Sequence, residues 1–423
     1  MIELACNMVW RSKGARLAAG LLAASLLAVG AQAQELEDAP GKTDLPNVAD
    51  RYDGTGVQMG SFWLLPTIET GLFYDSNINA SSSNEQSGAG VYAIPRVELN
   101  SDWGRHALNF VVEASDYTYF DDSSQNRFNI DGSMDTRIDI RRDLIFAGGA
   151  KGGRFQEQVG DLNTNYYADE PTTYWDFNTW ASLMKAFNRI QISAGAAYDY
   201  QNYDDVQSIF GTSIDQDYRN GHVLEAGGRV AYAISPGYSV FSDFRYNWRD
   251  YNDKLSDSDG WRALTGLEFE IGRLLNGEIG VGYMNQHYGE GQGNEGGFTY
   301  HAGLTWNPTP LMTVTLDANR EVQDSAQFDS PGSIADDVEL ALNYEVRRGW
   351  VLTPSLVYQR VDYMDDDGVE SSYGLGIKLD YTMNRFWTLG AGYSYTYNDY
   401  QDAPPLVDNW DRHVVGAYAK ARF

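Results

Sequence analysis

Between residues 385 and 400 the chain reads RFWTLGAGYSYTYNDY, and its side chains sort by parity. Trp387, Leu389, Ala391, Tyr393, Tyr395 and Tyr397 form one register, while Thr388, Gly390, Gly392, Ser394, Thr396 and Asn398 form the other. A helix would scatter both sets around its circumference; a period of two separates them. The stretch therefore reads as a strand with one apolar face, aromatic at its far end, and one polar face. Taken alone it would suit a soluble sandwich. The same alternation recurs along the chain. Ile68, Leu72 and Tyr74 oppose Thr67, Glu69 and Gly71, and Leu108, Phe110, Val112 and Ala114 oppose Asn109, Glu113 and Ser115. Ile190, Ile192, Ala194, Ala196, Tyr198 and Tyr200 face away from Gln191, Ser193, Gly195, Asp199 and Gln201. The pattern continues to Phe423. Residues 143–157 are ambiguous, because glycines blur the two registers.

The alternating stretches number about 18 strands, with 16 as the neighbouring even count. Their connections fall into two classes that take turns. Short ones lie at 101–104, 141–143, 187–189, 235–237, 273–276, 307–310, 347–349 and 383–385. Mostly longer ones lie at 76–88, 121–126, 158–172, 204–217, 253–259, 289–296, 324–336, 364–368 and 401–409. A sandwich or propeller has no reason to sort its loops in this way. A membrane barrel has one, with short periplasmic turns and long outer loops. The fold class expected is thus all-β, a transmembrane up-and-down antiparallel β-barrel with both ends of the sheet at the short-turn side. In hydrocarbon every backbone N–H and C=O needs an internal partner, so the last strand must pair with the first.

The N-terminus agrees with an exported protein. Arg11, Lys13 and Arg16 precede the apolar run LAAGLLAASLLAVG, and Ala31-Gln32-Ala33 follows. That layout predicts a signal peptide over 1–33, too short to span a bilayer as a helix. Residues 34–60, acidic and rich in Pro and Gly, read as a flexible periplasmic lead-in, and 61–423 as the barrel. The single cysteine, Cys6, lies within the leader, so the mature chain has no thiol chemistry. The formal charge of −28 becomes −30 when Glu3, Arg11, Lys13 and Arg16 leave with the leader. Such a charge argues against nucleic acid as a partner.

Charge also follows the loop classes. Arg141, Arg142, Arg189, Arg273, Arg347, Arg348 and Arg385 sit at short turns. Asp121, Asp122, Asp204, Asp205, Asp253, Asp257, Asp365, Asp366 and Asp367 sit at long ones. Solvation of loop tips accounts for this as well as divalent cations shared with lipid A phosphates would. The tips lack the ligand spacing of an EF-hand, so no calcium site is expected.

The polar register would line the lumen with both signs: Glu69, Arg96, Glu98, Glu113, Asp131, Asp135, Arg137, Asp199, Glu225, Arg229, Asp243, Arg245, Arg249, Arg262, Glu268, Glu270, Glu278, Asp317, Glu339, Glu345, Lys378 and Asp380. For any one of these an ordinary lumen ion pair is the default. Tyr and Trp near strand ends, among them Trp175, Trp248, Trp306, Trp350 and Trp387, fit interfacial girdles. Phe423 closes the lipid-facing register of 410–423 and resembles the signal read by the barrel assembly machinery. His106, His222, His287, His301 and His413 have no metal spacing. His287 and His301 fall on neighbouring strands with Glu290 and Glu295 between them, yet read far better as polar wall residues than as a catalytic pair. With no GxSxG, P-loop or dinucleotide fingerprint, no enzyme and no cofactor is expected.

At residues 67–81, TIETGLFYDSNINAS, the run Tyr74-Asp75-Ser76-Asn77-Ile78 resembles the opening of the beta-barrel porin type-2 family of proteobacterial outer-membrane proteins. WNPTPLMTVTLDANR at 306–320 resembles a hairpin of that family. So does 363–400, with Asn384-Arg385 at its turn and Tyr393-Ser394-Tyr395 beyond. The resemblance implies a bacterial outer-membrane location, with lipid and lipopolysaccharide as surroundings. Because members are often encoded near exopolysaccharide genes, it also implies a conduit for polysaccharide and contact with its export proteins. A general small-solute porin, or a structural barrel whose acidic loops matter more than its lumen, are the alternatives. Lumen aromatics such as Tyr92, Tyr174 and Tyr418 would favour polysaccharide. A long inward loop, with 158–172 and 204–217 as candidates, would favour small solutes.

Overall fold

The computed structural model describes residues 56–423 apart from 273, 290–292, 329, 365–367 and 403–406. The expected leader 1–33, most of the lead-in (34–55), and Arg273, Glu290, Asp365, Asp366 and Asp367 lie outside the described residues.

Eighteen long strands succeed one another. They are β1 (Phe62–Asp75), β2 (Gly88–Ser101), β3 (Ala107–Tyr119), β4 (Arg127–Arg141), β5 (Leu144–Glu157) and β6 (Thr172–Phe187). Next come β7 (Ile190–Tyr203), β8 (Gly221–Ser235), β9 (Tyr238–Tyr251), β10 (Ser258–Ile271), β11 (Leu275–Tyr288) and β12 (Asn294–Thr309). The last are β13 (Met312–Gln323), β14 (Ser333–Arg347), β15 (Trp350–Tyr363), β16 (Val369–Thr382), β17 (Trp387–Gln401) and β18 (Trp410–Arg422). Each is antiparallel to the next, and β18 returns to β1 through nine rungs from Thr67↔Arg422 to Asp75↔Val414. The ring is therefore closed and has no free edge. A strand of 14 residues such as β1, rising ~3.3 Å per residue and tilted ~40°, reaches roughly 35 Å, enough for an apolar band of ~25 Å.

The period-two reading holds on both faces. In β17, Thr388, Ser394, Thr396 and Asn398 are buried inside, while Trp387, Leu389 and Tyr393 face out. Leu72, Val112, Val230, Val281 and Leu356 are likewise exposed on the outer wall. A continuous apolar belt of that kind has lipid, not water, as its solvent. In β5 the ambiguity resolves: Ile145 and Ala147 are buried in the inward register, which also carries Lys151. Of the four strand prolines, Pro95, Pro308 and Pro354 fall where a ladder is interrupted, and Pro66 lies one residue before the first rung between β1 and β18. Rungs between β2 and β3 skip Ile94 and Pro95, and those between β14 and β15 skip Thr353 and Pro354, so the missing N–H breaks no rung there.

The two connection classes also hold. Tight turns at 142–143, 188–189, 236–237 and 348–349 join strands at one end, with Asn188 (φ 55°) and Gly349 (φ 78°) supplying the positive φ that matches strand twist. Loops at the other end run up to 204–220. One boundary differs from expectation. Val57–Met59, read as lead-in, folds back as a short strand on Phe62–Leu64, and three residues are too few to show a period in sequence.

Candidate functional site

Among the inward side chains, charge is mostly neutralised locally. Arg96 contacts Glu98 at 3.1 Å and Glu113 at 3.4 Å, and Glu69 accepts from the Tyr92 hydroxyl at 3.0 Å. Arg137 pairs with Asp139 at 2.8 Å, and Lys151 lies 3.9 Å from Asp131. Arg229 bridges Glu268 and Glu278, the latter at 2.6 Å, and stacks on the Phe241 ring. Arg245 pairs with Asp243 at 2.8 Å and Glu225 at 3.4 Å. Lys378 reaches Asp380 at 3.1 Å, and Glu345 accepts from the Gly349 N–H at 3.3 Å. Asp317 and Glu339 face each other across one rung of β13 and β14. Arg249 donates to the Val322 carbonyl at 2.8 Å. Asp135, Asp199 and Glu270 also occupy the inward register.

Arg262 departs from this pattern. It is 7% exposed, sits directly across the ladder from Arg245, and neither Nη1 nor Nη2 has a hydrogen-bond partner. Buried guanidinium nitrogens without acceptors are costly.

The lumen differs between its ends, although Phe241, Thr313, Glu345, Val351, Thr388 and Arg422 are buried near the short turns as well. Toward the short turns, Arg96, Glu98, Asn100, Arg137, Asp139, Glu268, Glu270, Lys378 and Asp380 are half-buried and Asp317 is exposed. Glu98 retains 32% of its side-chain surface there. Toward the long loops the inward residues are buried, down to 0% and 1% for Asp75 and Arg412. A collar of inward tyrosines rings that end: Tyr119, Tyr174, Tyr203, Tyr251, Tyr288 and Tyr363.

What fills the collar is the protein's own loops. The loop 158–171 leaves the wall between β5 and β6 and meets the loop 324–332, which starts eight strands further round the ring of eighteen. Asn163 joins them: its Nδ2 donates to the Asp324 carbonyl at 2.9 Å and its Oδ1 accepts from the Ala326 N–H at 2.8 Å. The Asn163 N–H donates to Glu370 on β16 at 3.0 Å, and Gln327 donates to the Thr164 carbonyl at 2.8 Å. Tyr166 sits edge-on to both Tyr363 and Tyr400. Burial, then the Glu370 carboxylate, pushes the Tyr166 hydroxyl well up. The loop 204–220 is tied in through Arg219, whose two Nη atoms contact Glu157 at 2.9 and 2.8 Å beneath its stacking on Tyr203. Burial opposes the Arg219 charge, and Glu157 more than restores it.

Several lumen groups escaped the sequence reading: Lys151, Asp176, Glu321 and Glu370. Glycines hid Lys151. The rest share the parity of residues that were assigned, as Glu370 does with Lys378 and Asp380. His287 and His301 do lie on neighbouring strands, but His287 pairs with Asn294 and His301 with Gly280, seven rungs apart. His287 faces outward, whereas His301 approaches Glu278 at 3.3 Å inside.

A family model described as "Putative beta-barrel porin 2" matches residues 50–423. The chain belongs to this family. Its resemblance at the YDSNI and WNPT stretches is thus part of a match over the whole barrel. No curated protein matches the sequence. Among solved structures, the FrpB iron transporter from Neisseria meningitidis (F5-1 variant) is 10% identical, with a TM-score of 0.43 over 83% of this chain and 64% of that one. The porin-family chain thus covers less than two thirds of FrpB. The siderophore receptor PirA from Acinetobacter baumannii is 8% identical, with a TM-score of 0.43 over 84% of this chain and 80% of that one. A ferric enterobactin receptor (PfeA) mutant from Pseudomonas aeruginosa is 11% identical, with a TM-score of 0.40 and the same coverage. Likenesses this distant carry no information about cargo.

Proposed function

We propose that this outer-membrane barrel is a loop-gated aqueous conduit for secreted polysaccharide, loaded from the short-turn, periplasmic side. The observation that supports it most is the asymmetry of the lumen: part-exposed and ionic at the short-turn end, closed by its own loops at the other. A wide barrel would otherwise hold an open aqueous channel. A vestibule facing the cell interior with a lid facing out suits export. Tyrosines at the exit suit sugar, since their rings stack on pyranose faces while their hydroxyls exchange hydrogen bonds with sugar hydroxyls. Those tyrosines also hold the lid, which gives them a structural reason to be there. The crossing loop favours a second reading, a small-solute porin with an inward constriction.

The test is a chromosomal deletion with complementation. Export predicts less extracellular polysaccharide and its accumulation in the periplasm, both restored by the wild-type chain. Normal polysaccharide output with slowed uptake of small polar solutes would overturn export in favour of the porin reading.

A further inference from the structure

We infer that Arg412 is the positioning residue of the closure: one guanidinium on the last strand pins the crossing loop to the seam where the barrel is sealed. This rests on the reading of 158–171 as a gate. Arg412 lies in the inward register of β18, and its Nε donates to the Asn77 carbonyl at 2.8 Å. Its Nη2 donates to the Val159 carbonyl at 3.1 Å, and Oδ1 of Asp75 is 3.7 Å from its Nε. The guanidinium also lies 4.8 Å from the Trp410 ring. Three parts of the chain, 335 and 253 residues away from Arg412 in the case of the two carbonyls, thus converge on one side chain.

Each partner is itself fixed. Asp75 accepts from the Asn77 N–H at 2.9 Å and from the Tyr119 hydroxyl at 3.3 Å. The Asn77 amide donates to the carbonyls of Ser81 and Asp411, both at 2.9 Å. Ser76 is bound across the same seam: its N–H donates to the His413 carbonyl at 3.0 Å, and its Oγ accepts from the His413 N–H at 2.9 Å. The YDSNI stretch is therefore a seam lock that turns Asn77 toward Arg412. On the loop side, Gly160 follows Val159 with φ 82°, and a Cβ there would stand 2.3 Å from Ala80 and 2.8 Å from Trp410. Only a glycine lets the loop come this close. The forked guanidinium spans two carbonyls at once, which a lysine ammonium on its flexible stem does not reproduce.

Because Asn77 belongs to the first strand's loop and Arg412 to the last strand, the pin is complete only once those strands have paired. The lid is thereby seated after the barrel closes.

The test combines heat-modifiable folding on gels with planar-bilayer recordings of Arg412→Gln, Arg412→Lys, Gly160→Val and a chain with 161–168 replaced by a short Gly-Ser bridge. Arg412→Gln and Gly160→Val are expected to fold to near wild-type yield and to raise the open fraction about tenfold, which is ~1.4 kcal/mol of gate bias. Arg412→Lys should fall between them and the wild type. Folded Arg412→Gln barrels as closed as the wild type, while the shortened loop conducts, would overturn the inference but leave the conduit standing. Loss of folded barrel in both Arg412→Gln and Gly160→Val would also overturn it, making the contact a pin of the wall. A shortened-loop barrel that never conducts would instead remove the conduit reading itself.

Discussion

The backbone N–H of Asn163 donates to Oε2 of Glu370 at 3.0 Å, joining residues 207 apart in sequence from opposite parts of the wall. This single bond shows that the crossing loop ends on a strand far from its own. Glu370 is 2% exposed, so its removal leaves a buried N–H unsatisfied, a cost of about 1–3 kcal/mol. Glu370→Ala is therefore expected to loosen 158–171 without unfolding the barrel. Proteinase K on intact cells should cut this loop severalfold faster than in the wild type. An unchanged cutting rate in a folded barrel would show that the loop does not depend on this anchor.

Orientation is testable because residues 7–423 contain no cysteine. Asp121 lies in a long loop and Pro236 in a two-residue turn, and both are exposed. With single cysteines at these places, a membrane-impermeant maleimide should label the first on intact cells and the second only after the outer membrane is permeabilised. Equal labelling of both on intact cells would reject the topology.

Much of this architecture was legible in the sequence, and the reason is the strictness of the period. A shift of one residue exchanges the lipid and lumen faces, so β17 and β18 could be assigned residue by residue. Lys151 was lost because Gly148, Gly149, Gly152 and Gly153 carry no side chain to mark a face. The closure of the mouth was not legible at all. Asn163 meets Asp324, Ala326 and Glu370 only because the ring brings distant loops together, and nothing local in NTNYYADE announces it. The YDSNI stretch marked the family from sequence; its role at the seam needed Arg412 beside it.

Two inward arginines should respond to the same substitution in opposite ways. Arg229 is held by Glu268 and Glu278, whereas Arg262 has no hydrogen-bond partner for Nη1 or Nη2. Arg229→Met strands the buried Glu278 and the half-buried Glu268 and is expected to cost about 3 kcal/mol. Arg262→Met removes a buried guanidinium whose Nη1 and Nη2 have no hydrogen-bond partner, and is expected to be neutral or to stabilise by roughly 1 kcal/mol. Urea unfolding in lipid vesicles checks both. Equal losses would mean that Arg262 has favourable interactions these contacts do not include.

Phe423 projects outward at 54% exposure, with its N–H donating to the Pro66 carbonyl at 3.3 Å and its ring near Phe386. Few contacts with the finished barrel depend on that ring. Deleting Phe423, or replacing it with Asp, should therefore reduce the amount of folded barrel delivered to the outer membrane more than the stability of what arrives. Unchanged folded yield would dismiss an assembly role.

The central claim is that an aqueous lumen, open at the short-turn end, is shut by 158–171 and its partners. Planar-bilayer conductance of the wild type beside the chain with 161–168 shortened tests it most directly. The wild type should be closed for most of the record, and the shortened chain should be held open. Because acidic groups such as Asp135, Asp317 and Glu339 outnumber bases along the assigned lumen, the open current should favour K⁺ over Cl⁻, and Asp135→Arg with Asp317→Arg should weaken that preference. Identical conductance from the wild type and the shortened chain would contradict the account.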